Sequence, residues 1–290
     1  MNRTANLVPY IVHTAQGTSN RLPTDMTDVP VVPVVLVPGG LTGWRSWQPM
    51  AERLASERPV IRTQLISVDR AETGTPVPDG YRLPTESAAL RAALDEAGAD
   101  RIDLVGWSYG AHVSLDFALT WPERVSTLTL IEPPASWLLR RTGYNPERLA
   151  GDEAFDRSLA DGPVTVEKLR RFLVRAGLAQ PGQDAPVLPQ WPVWLQYRQA
   201  IAASAVIWDY DNDLDRLHRF DRPILMVHGD RTAATFIEIA AIIEQTAPNV
   251  TPLALPGDHA CHLENPEAFL DALRAFLDAP EAVREAATTR

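Results

Sequence analysis

A Gly-x-Ser-x-Gly motif at residues 106–110 has the residue types and the spacing of a nucleophilic serine. The apolar segment from Ile102 to Trp107 precedes Ser108, and an amphipathic run that ends near Thr120 follows it. A strand, a tight turn and a helix in this order can hold a serine hydroxyl above the end of a sheet. The glycines remove side chains where strand and helix cross closely, and the helix N-terminus favours negative charge beside the serine. The motif therefore predicts covalent catalysis by Ser108.

A serine of this kind needs a base, and the chain contains six histidines. We favour His259 because it follows the last predicted strand in a Gly-x-His loop, at the same edge of the sheet as the serine. His262 competes with it, because the two histidines are three residues apart and could share one helical face, and Cys261 could join them in a metal site. No further cluster of Cys or His supplies the missing ligands of a metal site, so we expect no metal here. His262 and Cys261 are instead predicted to be packing residues.

The carboxylate that orients the base has more than one candidate. Glu132 ends the strand after the serine helix, where a charged side chain in apolar surroundings is costly unless it has a partner. Asp230 follows the next-to-last strand, where such an acid commonly lies, but the usual spacing points to position 232, which is Thr232. We favour Glu132 and keep Asp230 and Asp258 as alternatives. Either Glu132 or Asp230 preserves the chain order serine, acid, histidine.

The charge that develops on a substrate carbonyl oxygen needs hydrogen-bond donors. A glycine pair, Gly39 and Gly40, follows the first buried strand, and its amides are unobstructed by side chains. The amide of Tyr109 comes directly after the nucleophile. We predict that Gly40 and Tyr109 form the oxyanion hole and that Leu41, beside them, contacts the substrate.

The elements that position these residues alternate between strands and helices. This alternation predicts an α/β fold, a mostly parallel, doubly wound sheet with right-handed crossovers. Residues 14–30 are polar and rich in turn formers, so they are predicted to be a long connection, and residues 279–290 a charged helical tail or frayed end. The predicted strands are Leu7–Val12, Val34–Val37, Val60–Val68, Ile102–Trp107, Val125–Ile131, Pro223–Val227 and Val250–Leu255. The predicted helices that alternate with these strands are Trp47–Glu57, Pro84–Ala97, Ser108–Thr120, Ala233–Thr246 and Pro266–Leu277.

The alternation stops after two prolines at 133 and 134, and helical segments follow until the strand near residue 223. We predict a helical cap (lid) domain at residues 135–218, inserted into a core formed by residues 1–134 and 219–290. Four tryptophans lie in this insertion, and each can belong either to the cap interior or to an apolar substrate pocket. Three of them are taken as candidate substrate contacts, namely Trp137, Trp191 and Trp194.

Composition limits the partners that the chain can bind. The net charge is −10, and no basic run is long enough to follow a phosphate backbone, so no nucleic acid is expected. The single cysteine indicates a reducing compartment, and no apolar segment reaches about 18 residues. The first 13 residues lack the apolar stretch of a secretory signal. We therefore expect a cytoplasmic protein that acts on a small molecule without binding a membrane. Composition leaves open whether the protein forms a homodimer.

With these residues located, the chain resembles the α/β-hydrolase superfamily over nearly its full length, from the Pro-Gly-Gly turn at residues 38–40 to the Pro-Gly-Asp-His loop at residues 256–259. Within it, the Glu-Pro-Pro sequence at residue 132, the Pro-Val-Trp sequence at residue 192 and the final His loop are similar to enzymes of the zearalenone-lactonase type. That resemblance implies that Trp194 contacts substrate. Two features depart from the pattern, namely the long connection at residues 14–30 and His112, where a smaller residue is usual.

These observations predict a cofactor-independent serine hydrolase that cleaves an ester or lactone with a large apolar body. Ser108 would attack the carbonyl, His259 would take the hydroxyl proton, and Glu132 would hold the imidazole. Two alternatives stay open. One is hydrolysis of a carbon–carbon bond in a diketone, and the other is a ligand-binding, receptor-like protein with very slow turnover.

Overall fold

The computed structural model describes residues 8–23 and 32–279, and a single eight-stranded sheet runs through this part of the chain. The strand order is β2-β1-β4-β3-β5-β6-β7-β8. The strands are β1 (Tyr10–Thr14), β2 (Gly17–Ser19), β3 (Val34–Val37), β4 (Val60–Thr63), β5 (Ile102–Trp107), β6 (Val125–Ile131), β7 (Ile224–Gly229) and β8 (Val250–Leu255).

Every strand pair from β4 to β8 is parallel, whereas β1 pairs antiparallel with both β2 and β4. The predicted mostly parallel α/β sheet is therefore confirmed. All residues of β3, β5 and β6 are buried, because helices cover both faces of the sheet. The carboxyl ends of these parallel strands lie at one edge, where loops can bring distant side chains together.

The helices alternate with the strands and then accumulate between β6 and β7. In the first half they are α1 (Gln48–Leu54), α2 (Ile66–Thr73), α3 (Leu83–Ala97) and α4 (Tyr109–Thr120). Between β6 and β7 they are α5 (Ser136–Thr142), α6 (Pro146–Leu159), α7 (Val166–Arg175), α8 (Trp191–Tyr197), α9 (Val206–Asp209) and α10 (Leu214–His218). The last three are α11 (Ala234–Thr246), α12 (Cys261–Glu264) and α13 (Pro266–Asp278). Short 3₁₀ helices occupy Trp44–Trp47, Pro122–Arg124, Ala185–Val187 and Arg198–Ala203.

The prediction of one strand from Val60 to Val68 is wrong in its second half. The strand ends at Thr63, and α2 begins at Ile66. The amides of Ile66 and Ser67 donate hydrogen bonds to the buried carboxylate of Glu86, at 2.7 and 3.0 Å. A carboxylate at a helix N-terminus satisfies amides that the helix itself leaves free. Because this partner comes from another helix, the local sequence carries no trace of it.

The predicted connection at residues 14–30 contains a small hairpin. β1 continues to Thr14, two residues beyond the predicted end of the first strand, and pairs with β2 in this hairpin. Further on, the amide of Leu22 donates to the carbonyl of Ala97 at 3.0 Å. Residues 24–31 of the connection and the predicted tail beyond residue 279 lie outside the described residues.

The helical insertion predicted between β6 and β7 is present as α5 to α10, and several of its side chains reach the core. The Tyr210 hydroxyl donates to Asp116 on α4 at 2.7 Å, and the Ser87 hydroxyl on α3 donates to the same carboxylate. Within the insertion, the Ser136 hydroxyl donates to the carbonyl of Ile207 at 3.0 Å. In the described part of the chain, no helix is long and apolar enough to cross a membrane.

Candidate active site

Ser108 lies at the carboxyl end of β5, on the turn into α4, with φ 54° and ψ −124°. This backbone conformation is strained for a residue with a Cβ atom, and such strain persists only where the surroundings enforce it. The Ser108 amide donates to the carbonyl of Ile131 on the neighbouring strand at 2.8 Å. The turn is therefore fixed to the sheet, and it raises the serine hydroxyl above the sheet edge.

The two glycines of the motif are required by close backbone approach. A Cβ atom on Gly106 would lie 2.5 Å from Ser114 Oγ and 2.7 Å from the Cα atom of Ala111. A Cβ atom on Gly110 would lie 2.3 Å from the carbonyl oxygen of Pro38. Neither glycine has a positive φ, so the constraint is steric crowding rather than backbone freedom. Both positions therefore require glycine, because the neighbouring backbone leaves no room for a side chain.

His259 lies in the loop between β8 and α12, and several contacts fix its ring. Its backbone carbonyl accepts a hydrogen bond from the Trp107 indole at 2.9 Å, and its amide donates to the carbonyl of Gly177 in the insertion at 3.3 Å. Its imidazole stacks on Phe236, with ring centroids 4.5 Å apart. The ring is therefore held between core and insertion, and it is almost completely buried.

The structure brings the predicted nucleophile, base and acid into one chain of hydrogen bonds. His259 Nε2 lies 2.8 Å from Ser108 Oγ, and His259 Nδ1 lies 2.6 Å from Glu132 Oε2. These distances allow Nδ1–H to donate to the carboxylate while Nε2 accepts the serine proton. The arrangement can activate a hydroxyl for attack on a carbonyl carbon.

Glu132 is completely buried, and its carboxylate has three hydrogen-bond partners. Oε1 accepts from the amide of Gly229 at 2.7 Å, and Oε2 accepts from the Thr232 hydroxyl at 2.7 Å as well as facing His259. Three donors compensate the cost of burying a carboxylate. The backbone of Glu132 is itself strained, with φ 48°, which turns the side chain toward the histidine loop.

Neither aspartate alternative contacts the imidazole. Asp230 accepts from the amide of Gly257 at 2.9 Å, so it stabilises the loop that carries His259. Asp258 accepts from the side-chain amide of Gln180 at 2.8 Å. Thr232 stands at the position where the usual spacing would place an acid, and its hydroxyl donates to Glu132 instead. Sequence reasoning missed this role of Thr232, although the absence of an acid at that position was visible.

The predicted oxyanion residues, Gly40 and Tyr109, lie in the wall of the same cavity as Ser108 and His259. The two are adjacent, since a Cβ atom on Gly40 would lie 3.7 Å from that of Tyr109. The Tyr109 hydroxyl lies 3.0 Å from that of Tyr81, which donates to the buried carboxylate of Glu86. Burial raises the pKa of Tyr109, so its hydroxyl keeps its proton and this chain fixes the ring beside the nucleophile.

The cavity above Ser108 has a mainly apolar wall that core and insertion build together. Leu41 belongs to this wall, but the candidate substrate contacts Trp137, Trp191 and Trp194 do not. Trp137 is fully buried and packs edge-on against Tyr210, and Trp194 is also buried, in an apolar cluster that core and insertion share. The tryptophan of the insertion that lines the cavity is Trp208. Other apolar residues of the wall include Leu139, Phe172, Leu178, Ile207, Phe236 and Ile239.

The remaining candidates pack in the core. Cys261 is buried, and burial raises the pKa of its thiol to about 12. The His262 ring packs against Trp47 and Trp107, with centroids 5.0 and 4.8 Å away, and burial lowers its pKa. Among the described residues, no group of three or more Cys, His, Asp or Glu side chains could hold a metal ion. His112, although one turn after Ser108, lies outside the cavity wall.

Comparison with known proteins identifies the family. The sequence profile described as "Alpha/beta hydrolase family" matches residues 34–272. A 2-hydroxy-6-oxo-2,4-heptadienoate hydrolase from Pseudomonas putida is 38% identical over 268 residues, which cover 86% of this chain and 90% of that protein. A protein from Klebsiella pneumoniae, named as a carbamate hydrolase, is 29% identical over 273 residues, which cover 86% and 93%.

The fold is also found among solved structures. A thermophilic esterase from Thermogutta terrifontis has a TM-score of 0.71 to this chain at 19% identity, and the match covers 93% of this chain and 92% of the esterase. At this identity the likeness shows the fold alone. Together with the matched profile, it shows that the chain belongs to the alpha/beta hydrolase family.

Proposed function

We propose that the chain is a serine hydrolase that cleaves a carboxylic ester or lactone with a bulky apolar body. The observation that carries the proposal is the hydrogen-bonded series from Ser108 Oγ through His259 to Glu132, with distances of 2.8 and 2.6 Å. The mainly apolar cavity that contains the serine supports a substrate with a large apolar part. The chemistry needs no cofactor, because the three side chains and backbone amides supply every proton transfer and charge contact.

In the proposed reaction, Ser108 Oγ attacks the substrate carbonyl carbon while His259 Nε2 takes the hydroxyl proton. Glu132 accepts from Nδ1–H and stabilises the imidazolium that forms. The amides of Gly40 and Tyr109 donate to the carbonyl oxygen as it becomes negative. The protonated imidazole then gives its proton to the leaving alcohol, and an acyl-serine forms. Water activated by His259 cleaves this acyl-serine and restores the enzyme.

A large lactone fits this proposal, in line with the resemblance to the zearalenone-lactonase type of enzyme. Ring opening leaves the alcohol attached to the acyl group, so the cavity must hold the whole molecule through both steps. The wall is suited to this because it combines residues of the core, such as Leu41 and Phe236, with residues of the insertion, such as Phe172 and Trp208.

Hydrolysis of a carbon–carbon bond is the second candidate, and the 38% identity to a heptadienoate hydrolase favours it. The substrate named there carries a carboxylate. In the described part of the cavity wall, the cationic side chains are Arg148 and Arg175, and each lies within 4 Å of Asp152. Because these arginines already have carboxylate partners, a neutral ester suits the cavity better than an anionic dienoate.

A hydrolysis panel tests the proposal. The wild-type protein and Ser108→Ala should be assayed with p-nitrophenyl acetate, p-nitrophenyl esters of bulky acids, a macrocyclic lactone and a vinylogous diketone acid. We expect multiple turnovers of bulky esters or the lactone by the wild type and a loss of at least about 10³-fold in the variant. Ser158→Ala, a cap substitution outside the cavity wall, is the matched control and should retain activity.

The other outcomes of this panel are equally informative. Turnover of the diketone without turnover of esters would replace the proposal by the carbon–carbon reaction. A single slow acylation without further turnover, together with a ligand-induced rise in Tm, would indicate a receptor-like protein. Hydrolysis by Ser108→Ala at the wild-type rate would contradict serine catalysis altogether.

A further inference from the structure

The turn that follows β7 supplies two hydrogen-bond donors to Glu132, and the reaction described above assigns no role to either. The amide of Gly229 donates to Oε1 at 2.7 Å, and the hydroxyl of Thr232 donates to Oε2 at 2.7 Å. The same Oε2 atom lies 2.6 Å from His259 Nδ1. The Thr232 amide donates to the Gly229 carbonyl at 3.4 Å, so one tight turn carries both donors. Each carboxylate oxygen therefore has one donor from this turn.

Two donors on different oxygens fix the plane of the Glu132 carboxylate. The last torsion of a glutamate side chain joins an sp³ and an sp² carbon and has broad minima, so covalent structure alone leaves this plane free to rotate. With the Gly229 amide as the only donor from the turn, Oε2 could rotate away from His259. Threonine suits the second position because its β-branched side chain has few favoured rotamers. The Thr232 hydroxyl thus keeps Oε2 directed at Nδ1.

Both donors from this turn are uncharged, and this preserves the charge of the acid. Among the described residues, the ion-pair partner of the carboxylate is His259, and no lysine or arginine pairs with it. A cationic donor would neutralise the carboxylate and weaken its attraction for an imidazolium. A hydroxyl and an amide orient the carboxylate and leave its negative charge to act on His259, at a completely buried position.

Thr232 can affect the reaction only through Glu132, because it does not belong to the cavity wall. The insertion lies on its other side, at Gly177, which has φ 70°. A Cβ atom on Gly177 would lie 3.6 Å from His259 Cβ and 4.0 Å from Thr232 Oγ1. The hydroxyl is therefore held between the insertion and the buried acid, away from the space that a substrate would occupy.

We propose that Thr232 is a positioning residue of the catalytic site, which orients Glu132 so that Oε2 accepts from His259 Nδ1 throughout the reaction. Thr232 keeps its own proton and takes no part in forming or breaking bonds. This inference rests on the proposed serine hydrolase function, because an oriented acid matters only if His259 transfers a proton to and from Ser108.

Thr232→Val tests the hydroxyl with little change in side-chain shape. With a p-nitrophenyl ester that the wild type turns over, we expect kcat to fall by at least about tenfold, the size of a lost hydrogen bond to a charged group. KM should stay within about twofold, because His259 acts in both formation and hydrolysis of the acyl-serine and both steps slow together. Thr129→Val is the matched control. Its hydroxyl lies on β6, is buried, has no hydrogen-bond partner among the described residues and is absent from the cavity wall.

Active-site titration separates positioning from loss of folded protein. Diethyl p-nitrophenyl phosphate transfers its phosphoryl group to Ser108 Oγ and releases one p-nitrophenol per reactive site, so kcat can be stated per titrated site. Partial unfolding would lower the number of sites without changing kcat per site. Thr232→Ser restores the hydroxyl and should stay within about threefold of the wild type, whereas Thr232→Ala should lose as much as Thr232→Val. The serine and alanine variants keep the test decisive if the valine variant does not fold.

A double-mutant cycle shows whether Thr232 acts through Glu132. In a Glu132→Ala background, Thr232→Val should lower kcat per site by less than about twofold, because its hydrogen-bond partner is already absent. The same fold-loss in both backgrounds would overturn the proposal, as would a Thr232→Ser variant as slow as the alanine variant, or wild-type kcat per site in the variants that lack the hydroxyl. If Ser108→Ala cleaves esters as fast as the wild type, the proposed function itself fails. That result is distinct from catalysis through Ser108 that is indifferent to Thr232.

Discussion

At the scale of single residues, Glu132 shows how one side chain can satisfy several demands at once. Its backbone lies in the left-handed region, its carboxylate is buried, and three donors surround it. The strain and the desolvation are both costs, and the hydrogen bonds from Gly229, Thr232 and His259 offset them. Residues kept in such a state commonly belong to functional sites. The geometry therefore supports Glu132, rather than Asp230, as the acid of the proposed triad.

Replacing Glu132 by Gln tests this assignment. The amide NH₂ group would face His259 Nδ1, force the proton onto Nε2 and remove the acceptor for the serine proton. We expect kcat to fall by about 10³- to 10⁴-fold, with a folded protein by circular dichroism. Asp230→Asn is the matched comparison. It should change kcat by less than about fivefold because, within the described part of the chain, the Asp230 carboxylate accepts from the Gly257 amide and Arg231 and makes no hydrogen bond to His259. The opposite ranking would move the acid to Asp230.

His112 is a second residue whose environment has a measurable consequence. It is fully buried on α4, neither ring nitrogen has a hydrogen-bond partner among the described residues, and its ring packs edge-on against Tyr210. Burial, with a smaller contribution from Arg140, lowers the pKa of His112 to about 3. The folded protein therefore keeps this imidazole neutral, whereas the unfolded chain protonates it near the ordinary pKa of about 6.5.

This difference predicts acid sensitivity of the fold. Because the unfolded state binds the extra proton, the contribution of neutral His112 is fully present above pH 6.5 and is lost progressively between pH 6.5 and about 3. The loss is about 1.4 kcal/mol per pH unit for one proton. Urea unfolding of the wild type and of His112→Phe at pH 7, 6 and 5 should show the shallower decline in the variant. His262, whose pKa is also lowered, is present in both proteins and does not affect the difference. Parallel declines would contradict the prediction.

At the scale of elements, the unit β5, turn and α4 determines where the nucleophile lies. The strand and helix approach so closely that Gly106 and Gly110 cannot carry a side chain. The same turn faces the Gly39–Gly40 turn after β3, since the carbonyl of Pro38 is the atom nearest to the missing Cβ of Gly110. Neighbouring parallel strands thus supply the serine and the predicted oxyanion donor from one crowded edge. The close approach of β5, α4 and the turn after β3 thus both excludes side chains at Gly106 and Gly110 and positions Ser108 beside Gly40.

Gly106→Ala should therefore damage both stability and activity. The added methyl group would lie 2.6 Å from the carbonyl oxygen of Gly110, so strand and helix must separate. We expect a loss of about 1–3 kcal/mol in the free energy of unfolding and a decrease in kcat of at least about tenfold. Gly151→Ala is the matched control in the interior of α6, where a new Cβ has no atom within 4 Å. It should stabilise the fold by about 0.5–1 kcal/mol and leave kcat unchanged.

At the scale of the whole molecule, the insertion and the core are joined by contacts close to the site. The Tyr210 hydroxyl donates to Asp116 on α4, the helix that follows Ser108, and the carbonyl of Gly177 accepts from the amide of His259. The insertion therefore forms the roof of the cavity and also holds the histidine loop. Burial raises the pKa of Tyr210, so the tyrosine keeps the proton that it donates to Asp116.

Substitutions at two tryptophans of the insertion distinguish a packing role from contact with the substrate. Trp194 is buried outside the cavity wall, so Trp194→Phe should lower the free energy of unfolding by about 1–3 kcal/mol and reduce activity on bulky and acetate esters in equal proportion. Trp208 lines the wall and donates to Asp156, so Trp208→Phe should change the ratio of bulky-ester to acetate kcat/KM by severalfold. A selective loss on bulky esters in Trp194→Phe would restore the substrate contact expected from the family resemblance.

The sequence alone determined the features that depend on local pattern. The β-branched runs of β3 and β6, the Gly-x-Ser-x-Gly turn and the histidine loop after β8 are each contained in a few neighbouring residues. Local residue types are sufficient for them because buried strands need continuous apolar runs and close turns need glycine. The mostly parallel sheet and the identity of Ser108 and His259 as candidates followed from this.

Tertiary structure decided what depends on partners that are distant in sequence. Only the assembled sheet edge shows that Thr232 donates to Glu132 and that Asp230 bonds the Gly257 amide. The start of α2 and the position of Trp194 away from the cavity have the same origin. Hydrogen bonds and packing act over distances of about 3–4 Å in space, whatever the separation along the chain. No local pattern can encode which residues meet at that distance, so the choice of acid and the shape of the cavity required the fold.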